Sequence, residues 1–256
     1  MKVLILAGGF GTRISEESFN KPKPMIEIGG KPVLMHLMDV YISQGFNEFV
    51  ILAGYRQEYI KKYFHDYYIS NSDLEIEFGS KHSIRMFNRK PFNAKVTILD
   101  TGLNTMTGGR VKRALELFED EEFLLTYGDG LSNANISELL NVHRGEHRLV
   151  TLTSVNPGSR FGTLVEKDNK VVSFREKHSE SDGWINGGFM VINRGLLDFL
   201  KDDTTILERG PFEKVAQKGL MGSYRHYGFW QCMDTLRDKN YLEELIETKK
   251  YPWMDL

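Results

Sequence analysis

The first 24 residues combine a glycine-rich segment with three nearby cations. An apolar run, Val3–Ala7, leads directly into the segment GGFGTR at residues 8–13, and Lys21 and Lys23 follow. Glycines at a strand end let the backbone turn sharply and approach a ligand closely, and successive backbone N–H groups there can form an anion site. With Arg13, Lys21 and Lys23, this segment has the chemistry needed to hold a triphosphate. The alternative interpretation is a tight strand-to-helix turn with solvated lysines.

Two familiar glycine motifs do not fit this segment. A P-loop requires Gly, four residues and then Gly-Lys-Ser/Thr, and neither Gly8 nor Gly9 begins such a sequence. A dinucleotide fingerprint requires a third glycine at the position that Ile14 occupies. The motif count therefore excludes a P-loop kinase and gives no support to a dinucleotide-binding site.

Two aspartates in the later part of the chain are candidate metal ligands. Asp129 lies between Gly128 and Gly130 just past a predicted strand, and Mg²⁺ prefers carboxylate oxygens together with substrate phosphates. Asp234 precedes Thr235 and a run with apolar residues at helical spacing. The alternatives are an Asp-Gly turn at Asp129 and a helix N-cap at Asp234, and spacing alone leaves both open.

The elements that must position these residues alternate between strands and helices through the first half. Strands are predicted at 3–7, 49–53, 96–99 and 123–127, and helices at 33–42, around 60–67 and after Thr107. Such alternation predicts a parallel sheet with helices on both faces. Ligands bind beyond the carboxyl ends of such strands, so the segments at Gly8, Thr107 and Asp129 are expected to share one site.

The remaining secondary-structure predictions concern residues 74–91 and the second half of the chain. Leu74, Ile76 and Phe78 alternate as in a half-buried strand, and 79–91 is predicted to be a loop. The second half is less regular, with strands expected at 149–153 and 187–192, a hairpin at 163–166 and 171–174, and helices at 196–200, 211–217 and 236–247. Without a clean linker or a repeat, residues 1–256 are predicted to form one α/β domain.

Composition limits the classes of partner. The formal net charge is −2, so there is no basic excess to predict a nucleic-acid partner. No apolar run approaches the roughly 20 residues of a membrane span, and the N-terminus lacks signal-peptide spacing. The single cysteine, Cys232, fits a reducing compartment, so a cytoplasmic location is expected. The seven histidines are scattered, and His36, on an apolar helix face, is expected to serve packing.

Taken together, the segments GGFGTR, KPKPM, MTGGR, TYGDG, INGGF and GFWQCMDTLRDK resemble the sugar-phosphate nucleotidyltransferases, over essentially the whole chain. The resemblance implies a Rossmann-like, mostly parallel sheet flanked by helices, with a smaller, β-rich sugar-binding portion. It implies a nucleotide-binding half at about 1–130 and an acceptor-binding half at about 131–256. The family joins a nucleoside triphosphate to a sugar 1-phosphate and releases pyrophosphate.

The resemblance also implies residue roles. Arg13 would hold the leaving pyrophosphate, Lys23 would lie beside the α-phosphate, and Asp129 and Asp234 would hold Mg²⁺, which makes Arg13, Lys23 and Asp129 the expected catalytic residues. The nucleotide-binding residues would be Leu6, Ala7, Gly8, Gly9, Gly11, Thr12, Arg13, Lys23, Asn104, Thr107, Gly108, Gly109, Arg110 and Gly128. For Arg110, the alternative is an ordinary exposed helix residue.

On the acceptor side, the resemblance implies sugar contacts at Gly162, Glu176, Lys177, Asn186 and Gly187. Phe174-Arg175-Glu176-Lys177 follows the family pattern, but His178 stands where proline is usual, which puts the loop shape and the acceptor in question. The alternative for Glu176 and Lys177 is a solvated hairpin end.

The match is closest to members that use CTP with α-D-glucose 1-phosphate and form CDP-glucose for 3,6-dideoxyhexose and surface-polysaccharide synthesis. It also implies a homo-oligomer. Three alternatives stay open at this point: CTP with a different phosphorylated acceptor, a sister enzyme that uses UTP or dTTP, and a non-catalytic regulatory subunit. Retention of Arg13, Lys23, Asp129 and Asp234 together argues against the last.

Overall fold

The fold was determined as a computed structural model that describes residues 1–14, 19–80, 82–88, 92–145, 147–157, 163–167, 170–175 and 183–255. At Arg13, 163–167 and 170–175 the description is of the backbone. The strands in this part of the chain are β1 Lys2–Ala7, β2 Glu27–Ile28, β3 Lys31–Pro32, β4 Glu48–Ala53, β5 Asp73–Glu77, β6 Ser83–Phe87, β7 Lys95–Asp100, β8 Glu122–Tyr127, β9 Gly130–Ser132, β10 Val150–Val155, β11 Thr163–Lys167, β12 Lys170–Arg175, β13 Ile185–Asn186, β14 Met190–Asn193, β15 Met221–His226 and β16 Trp230–Cys232.

The helices of the described residues flank these strands. They are α1 Val33–Ser43, α2 Gln57–His65, α3 Tyr67–Ser70, α4 Thr107–Leu117, α5 Ile136–Gly145, α6 Pro211–Gln217 and α7 Leu236–Glu247. Short 3₁₀ turns lie at Thr12–Ile14, Lys23–Met25, Arg194–Phe199 and Pro252–Met254. None of the helices described is long and apolar enough to cross a bilayer.

The central sheet has a parallel half and an antiparallel half. Its strand order is β13-β10-β14-β8-β1-β4-β7, and β15 pairs with β10. β8, β1, β4 and β7 run parallel to one another, whereas β14 joins β8 in antiparallel pairing and β10 joins β14 and β13 in the same way. The prediction of a mostly parallel sheet flanked by helices is confirmed.

β1 lies in the middle of the sheet and is buried on both faces. Val3, Ile5 and Ala7 pack into the core beneath α1, whereas Leu4 and Leu6 pack into the core beneath α4. Full burial of one such aliphatic side chain contributes about 1.5–3 kcal/mol. The strand that carries the glycine-rich segment is therefore a rigid support for it.

The predictions differ from the structure in a few segments. Residues 79–91 do not form a loop throughout, because β6 pairs with β5 as an antiparallel hairpin. The prediction of half-burial for this hairpin is also wrong, because Leu74 is 37 % exposed and Phe78 is 83 % exposed. The strand expected at 187–192 is broken, since Gly188 and Phe189 have φ of 76° and 46°, which no strand residue adopts.

Candidate functional site

A cavity of about 550 Å³ opens at the carboxyl edge of the parallel strands. Its walls come from the segments after β1 and β8 and from residues 103–107, after β7. In sequence, the chain places β4 and β7 on one side of β1 and then returns to place β8 on the other side. The cavity thus lies where the strand order reverses, which is the usual position of ligands in open α/β sheets.

Most of the predicted nucleotide-binding residues line this cavity. Those that do are Leu6, Ala7, Gly8, Gly9, Gly11, Thr12, Lys23, Asn104, Thr107, Arg110 and Gly128, and Phe10, Pro24, Leu103, Thr105, Met106 and Tyr127 complete the walls together with the two aspartates. The side chain of Arg13 lies outside the described parts of the chain. Lys21 is directed to Glu27, with 3.8 Å between Nζ and Oε1, and is not among the lining residues.

Lys23, Asp129 and Asp234 meet at one point of the cavity wall. The Lys23 ammonium donates to Asp129 Oδ2 and to Asp234 Oδ1 at 2.5 Å. The two carboxylates are thus aimed at a common cation although 211 positions separate Lys23 from Asp234. Burial of Lys23 lowers its pKa, but the charges and hydrogen bonds of Asp129 and Asp234 outweigh burial and hold the pKa above its ordinary value. The lysine is therefore a permanent cation.

The donor set at this point suits a hard divalent cation. Within the described residues there is no cluster of three or more His, Cys, Asp or Glu side chains that could hold a metal by itself. Two carboxylates that face one cation, beside a cavity able to take phosphates, are what Mg²⁺ commonly uses. The Lys23 ammonium acts here as a stand-in for such a cation.

The helix cap near Asp234 differs from the expected one. The N-cap of α7 is Thr235, whose Oγ1 accepts a hydrogen bond from Asp238 N at 3.3 Å. Asp238 Oδ2 in turn accepts from Thr235 N at 2.9 Å. Because the capping box of Thr235 and Asp238 serves the helix start, the Asp234 carboxylate is available to face Lys23.

Arg110 fixes the loops around the cavity. Its guanidinium donates to Gly8 O at 2.9 Å, to Ala53 O at 3.1 Å and to Gly102 O at 2.8 Å. Gly8 directly follows β1, Ala53 ends β4, and Gly102 lies two residues after the end of β7. A Cβ on Gly8 would lie 2.2 Å from the guanidinium, so glycine is required there. Arg110 therefore joins the ends of three strands through hydrogen bonds to backbone carbonyl oxygens.

The interpretation of Arg110 as an exposed helix residue is wrong, because its side chain is only 4 % exposed. Its guanidinium also donates to Thr101 Oγ1 and to Leu103 O. Burial, and after it the charge of Arg113, lowers the pKa of Arg110 below its ordinary value. Most of its donors are used within the protein, so its direct role is to shape the cavity wall.

Gly108 and Gly109 also serve packing. They do not line the cavity, in contrast to the expectation of base contact. Both N–H groups donate to Thr205 O, at 2.9 and 3.3 Å, and a Cβ on Gly108 would lie 2.8 Å from that oxygen. A Cβ on Gly109 would lie 2.7 Å from Asp203 Cα. The glycines let the start of α4 pack closely on the segment 203–205.

On the acceptor side, Asn186 and Gly187 lie one contact away from the cavity. Asn186 Nδ2 donates to Tyr127 Oη at 3.2 Å, and Tyr127 lines the cavity. Gly187 O accepts from Trp230 Nε1 at 2.7 Å. The other predicted acceptor residues, Gly162, Glu176 and Lys177, lie outside the described residues, as does His178.

Tyr127 and Glu208 are two site residues that the sequence reasoning missed. Tyr127 ends β8 directly before Gly128 and Asp129, so its position after an apolar strand was the signal that could have identified it. Tyr127 Oη donates to Glu208 Oε1 at 2.7 Å. Glu208 lies in an irregular segment between a 3₁₀ turn and α6, and no sequence pattern marks it.

The chain is similar to known proteins both in sequence and in structure. The profile of the family described as Nucleotidyl transferase matches residues 2–255. The chain is 45 % identical to a glucose-1-phosphate cytidylyltransferase from Salmonella typhimurium over 255 residues, 99 % of this chain and 98 % of that protein. It is also 45 % identical to a probable glucose-1-phosphate cytidylyltransferase from Bacillus subtilis over 244 residues, 95 % of this chain and 94 % of that one.

Among solved structures, the crystal structure of HddC from Yersinia pseudotuberculosis has a TM-score of 0.68 at 23 % identity. The match covers 96 % of this chain and 99 % of that chain. This likeness supports the fold.

Proposed function

The chain belongs to the nucleotidyl transferase family, and on this premise we propose that it transfers the cytidylyl group of CTP to α-D-glucose 1-phosphate. The products are CDP-glucose and pyrophosphate. The choice of base and sugar rests on the names of relatives that are 45 % identical over nearly the whole chain. The observation that carries the chemistry is the meeting of the Asp129 and Asp234 carboxylates at the Lys23 ammonium in the cavity.

The reaction is an in-line displacement at phosphorus. A phosphate oxygen of glucose 1-phosphate forms a bond to the α-phosphorus of CTP, and the bond from that phosphorus to the bridging oxygen breaks. The electron pair leaves with pyrophosphate. Because the attacking oxygen is already anionic, no general base is needed, and catalysis depends on positioning and on neutralisation of charge.

The chain's own residues supply these two effects. Gly8–Thr12 form the wall that would receive the triphosphate, and Arg110 holds that wall in place. The Lys23 ammonium would contact the α-phosphate, where charge increases in the transition state. We propose that Asp129 and Asp234 hold Mg²⁺, which when bound neutralises phosphate charge and aligns the reacting groups. Arg13 would hold the pyrophosphate, Glu176 would contact the sugar hydroxyls, and Lys177 would hold the phosphate of the incoming sugar.

We also propose that the chain associates with copies of itself. The support is the hairpin β5–β6, where Ile76 and Ile84 lie opposite one another and are 42 % and 56 % exposed, and where Phe78, directly after β5, is 83 % exposed. Light scattering would test this: Phe78→Asp should lower the molar mass, whereas a monomeric wild-type chain would contradict the proposal. The proposed location is the cytoplasm, where CTP is available.

A pyrophosphate-release assay tests the reaction directly. Wild-type protein with Mg²⁺ would be combined with CTP, UTP, dTTP or GTP, each against a panel of sugar 1-phosphates. We expect release with CTP and glucose 1-phosphate, giving the activated sugar that dideoxyhexose synthesis requires. A preference for UTP or dTTP would contradict the choice of base, and a preference for another acceptor would contradict the choice of sugar. Absence of release with any pair would contradict an enzymatic function.

A further inference from the structure

Glu208 links two parts of the site that are remote in sequence. Its carboxylate accepts one hydrogen bond from Thr107 Oγ1 to Oε2 at 2.8 Å and another from Tyr127 Oη to Oε1 at 2.7 Å. Thr107 begins α4, and Tyr127 ends β8. Both line the cavity, whereas Glu208 does not. The carboxylate thus holds two wall residues from outside the cavity.

The same network reaches the acceptor side. Tyr127 Oη accepts from Asn186 Nδ2 at 3.2 Å, and Asn186 Oδ1 accepts from Gly188 N at 2.9 Å. A continuous chain of hydrogen bonds therefore runs from the start of α4, on the nucleotide side, to the turn between β13 and β14, on the acceptor side.

We propose that Glu208 is a positioning residue that couples the binding of the sugar phosphate to the binding of the nucleotide, through Tyr127 and Asn186 on one side and Thr107 on the other. The proposal rests on the two-substrate transfer proposed above. A change in the position of Thr107 when the nucleotide binds is transmitted through the carboxylate to the amide of Asn186.

A carboxylate is the group that this position requires. Tyr127 accepts from Asn186 and Thr107 accepts from Leu207 N at 2.9 Å, so both hydroxyls must use their single proton to donate to residue 208. An ionised Glu offers an acceptor oxygen to each. Gln offers its amide oxygen to only one of the two hydroxyls, and its NH2 group would face the other hydroxyl, whose proton would then have no acceptor at residue 208. Asp is one methylene too short to span both.

The test compares Glu208→Gln with Glu116→Gln, a matched change at an exposed ion pair on α4. For Glu208→Gln we expect the KM for glucose 1-phosphate to rise about tenfold and the KM for CTP about threefold, with kcat within about threefold of wild type. Glu116→Gln should leave all three constants unchanged. A merely structural role would lower the folded fraction, and hence the apparent kcat, with both KM values unchanged, and that result would overturn the proposal.

The coupling itself is measured by a double-mutant cycle with Asn186→Ala. If Glu208 acts through Asn186, the loss of kcat/KM for the sugar phosphate in the double variant should be smaller than the product of the single losses by at least about fivefold. Losses that multiply would overturn the proposal. Should Glu208→Gln fail to fold, Tyr127→Phe removes the same hydrogen bond and takes its place in the cycle.

The two proposals fail in different ways. If the wild-type chain does not turn over CTP and glucose 1-phosphate, the proposed function is wrong, and the cycle is run on the substrate pair that it does turn over. If the wild-type chain is active and the variants behave independently, only the coupling through Glu208 is wrong.

Discussion

The two sides of the cavity are built in different ways. On the side proposed to bind the nucleotide, the wall segments 8–12, 103–107 and 128–129 follow the parallel strands β1, β7 and β8, and Arg110 fastens the strand ends together. On the acceptor side the strands β10, β13 and β14 are antiparallel, and Asn186 meets the cavity through Tyr127, which is held by a residue 81 positions later. The parallel strands thus bring the candidate catalytic groups together directly, whereas the proposed acceptor side reaches the cavity through a series of hydrogen bonds.

The largest expected effect is at Asp129, whose carboxylate meets the Lys23 ammonium together with that of Asp234. Asp129→Asn keeps the size of the side chain but removes a charge, so turnover should fall on the order of 10²–10³-fold. The fold should persist, because the backbone bond from Met233 N to Asp129 O is retained. Pyrophosphate release measures the first effect and circular dichroism the second. Asp198→Asn, at an exposed site, is the control, and wild-type turnover for Asp129→Asn would remove it from the metal site.

A second variant tests how much Arg110 contributes to stability by joining the strand ends. Arg110→Met should lower the free energy of unfolding by about 3 kcal/mol, because it leaves buried carbonyl oxygens without their donors. Denaturant titration gives this value. Arg113→Met, three positions along the same helix, breaks an exposed ion pair to Asp203 and should cost at most about 1 kcal/mol. Equal losses in the two variants would show that Arg110 does not join the strand ends.

A third change acts where the nucleotide side packs on the segment that carries Glu208. Gly108→Ala places a Cβ 2.7 Å from Thr205 Cγ2 and should lower the free energy of unfolding by about 1–3 kcal/mol. Gly145→Ala, in α5, adds a methyl group in open space and should stabilise by up to about 1 kcal/mol. Thermal unfolding of the pair checks the sign. A stabilised Gly108→Ala variant would show that the start of α4 does not pack closely on Thr205.

The smallest expected effect concerns pH. Burial lowers the pKa of His36 and of His226 below the ordinary value of 6.5. Since the unfolded chain binds these protons more readily, the free energy of unfolding should be highest above pH 6.5. It should fall as the pH drops below that value, by at most about 1.4 kcal/mol per pH unit for each histidine.

Denaturant titrations across this pH range measure that slope. His36→Gln and His226→Gln should each reduce it, and the change should appear in a single transition if residues 1–256 form one domain. Two separate transitions, each sensitive to one histidine, would contradict the single-domain prediction.

How much of each side of the cavity could be predicted from the sequence depends on the same difference in construction. Val3–Ala7 followed by glycines, and Gly128-Asp129-Gly130 after an apolar strand, are local patterns, so their meeting at one sheet edge followed from strand order alone. Arg110 was assigned to the right region, but its burial could not be read from sequence because the oxygens that it binds come from three separate strand ends. Glu208 carries no local signal, since its partners are fixed by tertiary packing.

The hairpin β5–β6 shows a different limit. The alternation of Leu74, Ile76 and Phe78 predicts its first strand, but the polar sequence of 79–91 suggests a loop where β6 forms. Backbone pairing with β5 is enough to form β6, and such pairing needs no apolar pattern.

The central claim is that Asp129 and Asp234 hold one divalent cation beside Lys23. Its most direct test is a crystal structure of the protein with CTP and Mn²⁺, in which anomalous scattering locates the metal. The account predicts one peak in contact with a carboxylate oxygen of each aspartate, at about 2.0–2.2 Å, the range for a small divalent cation, with the triphosphate against Gly8–Thr12. A metal that contacts neither aspartate, or a triphosphate bound away from the glycine-rich segment, would contradict it.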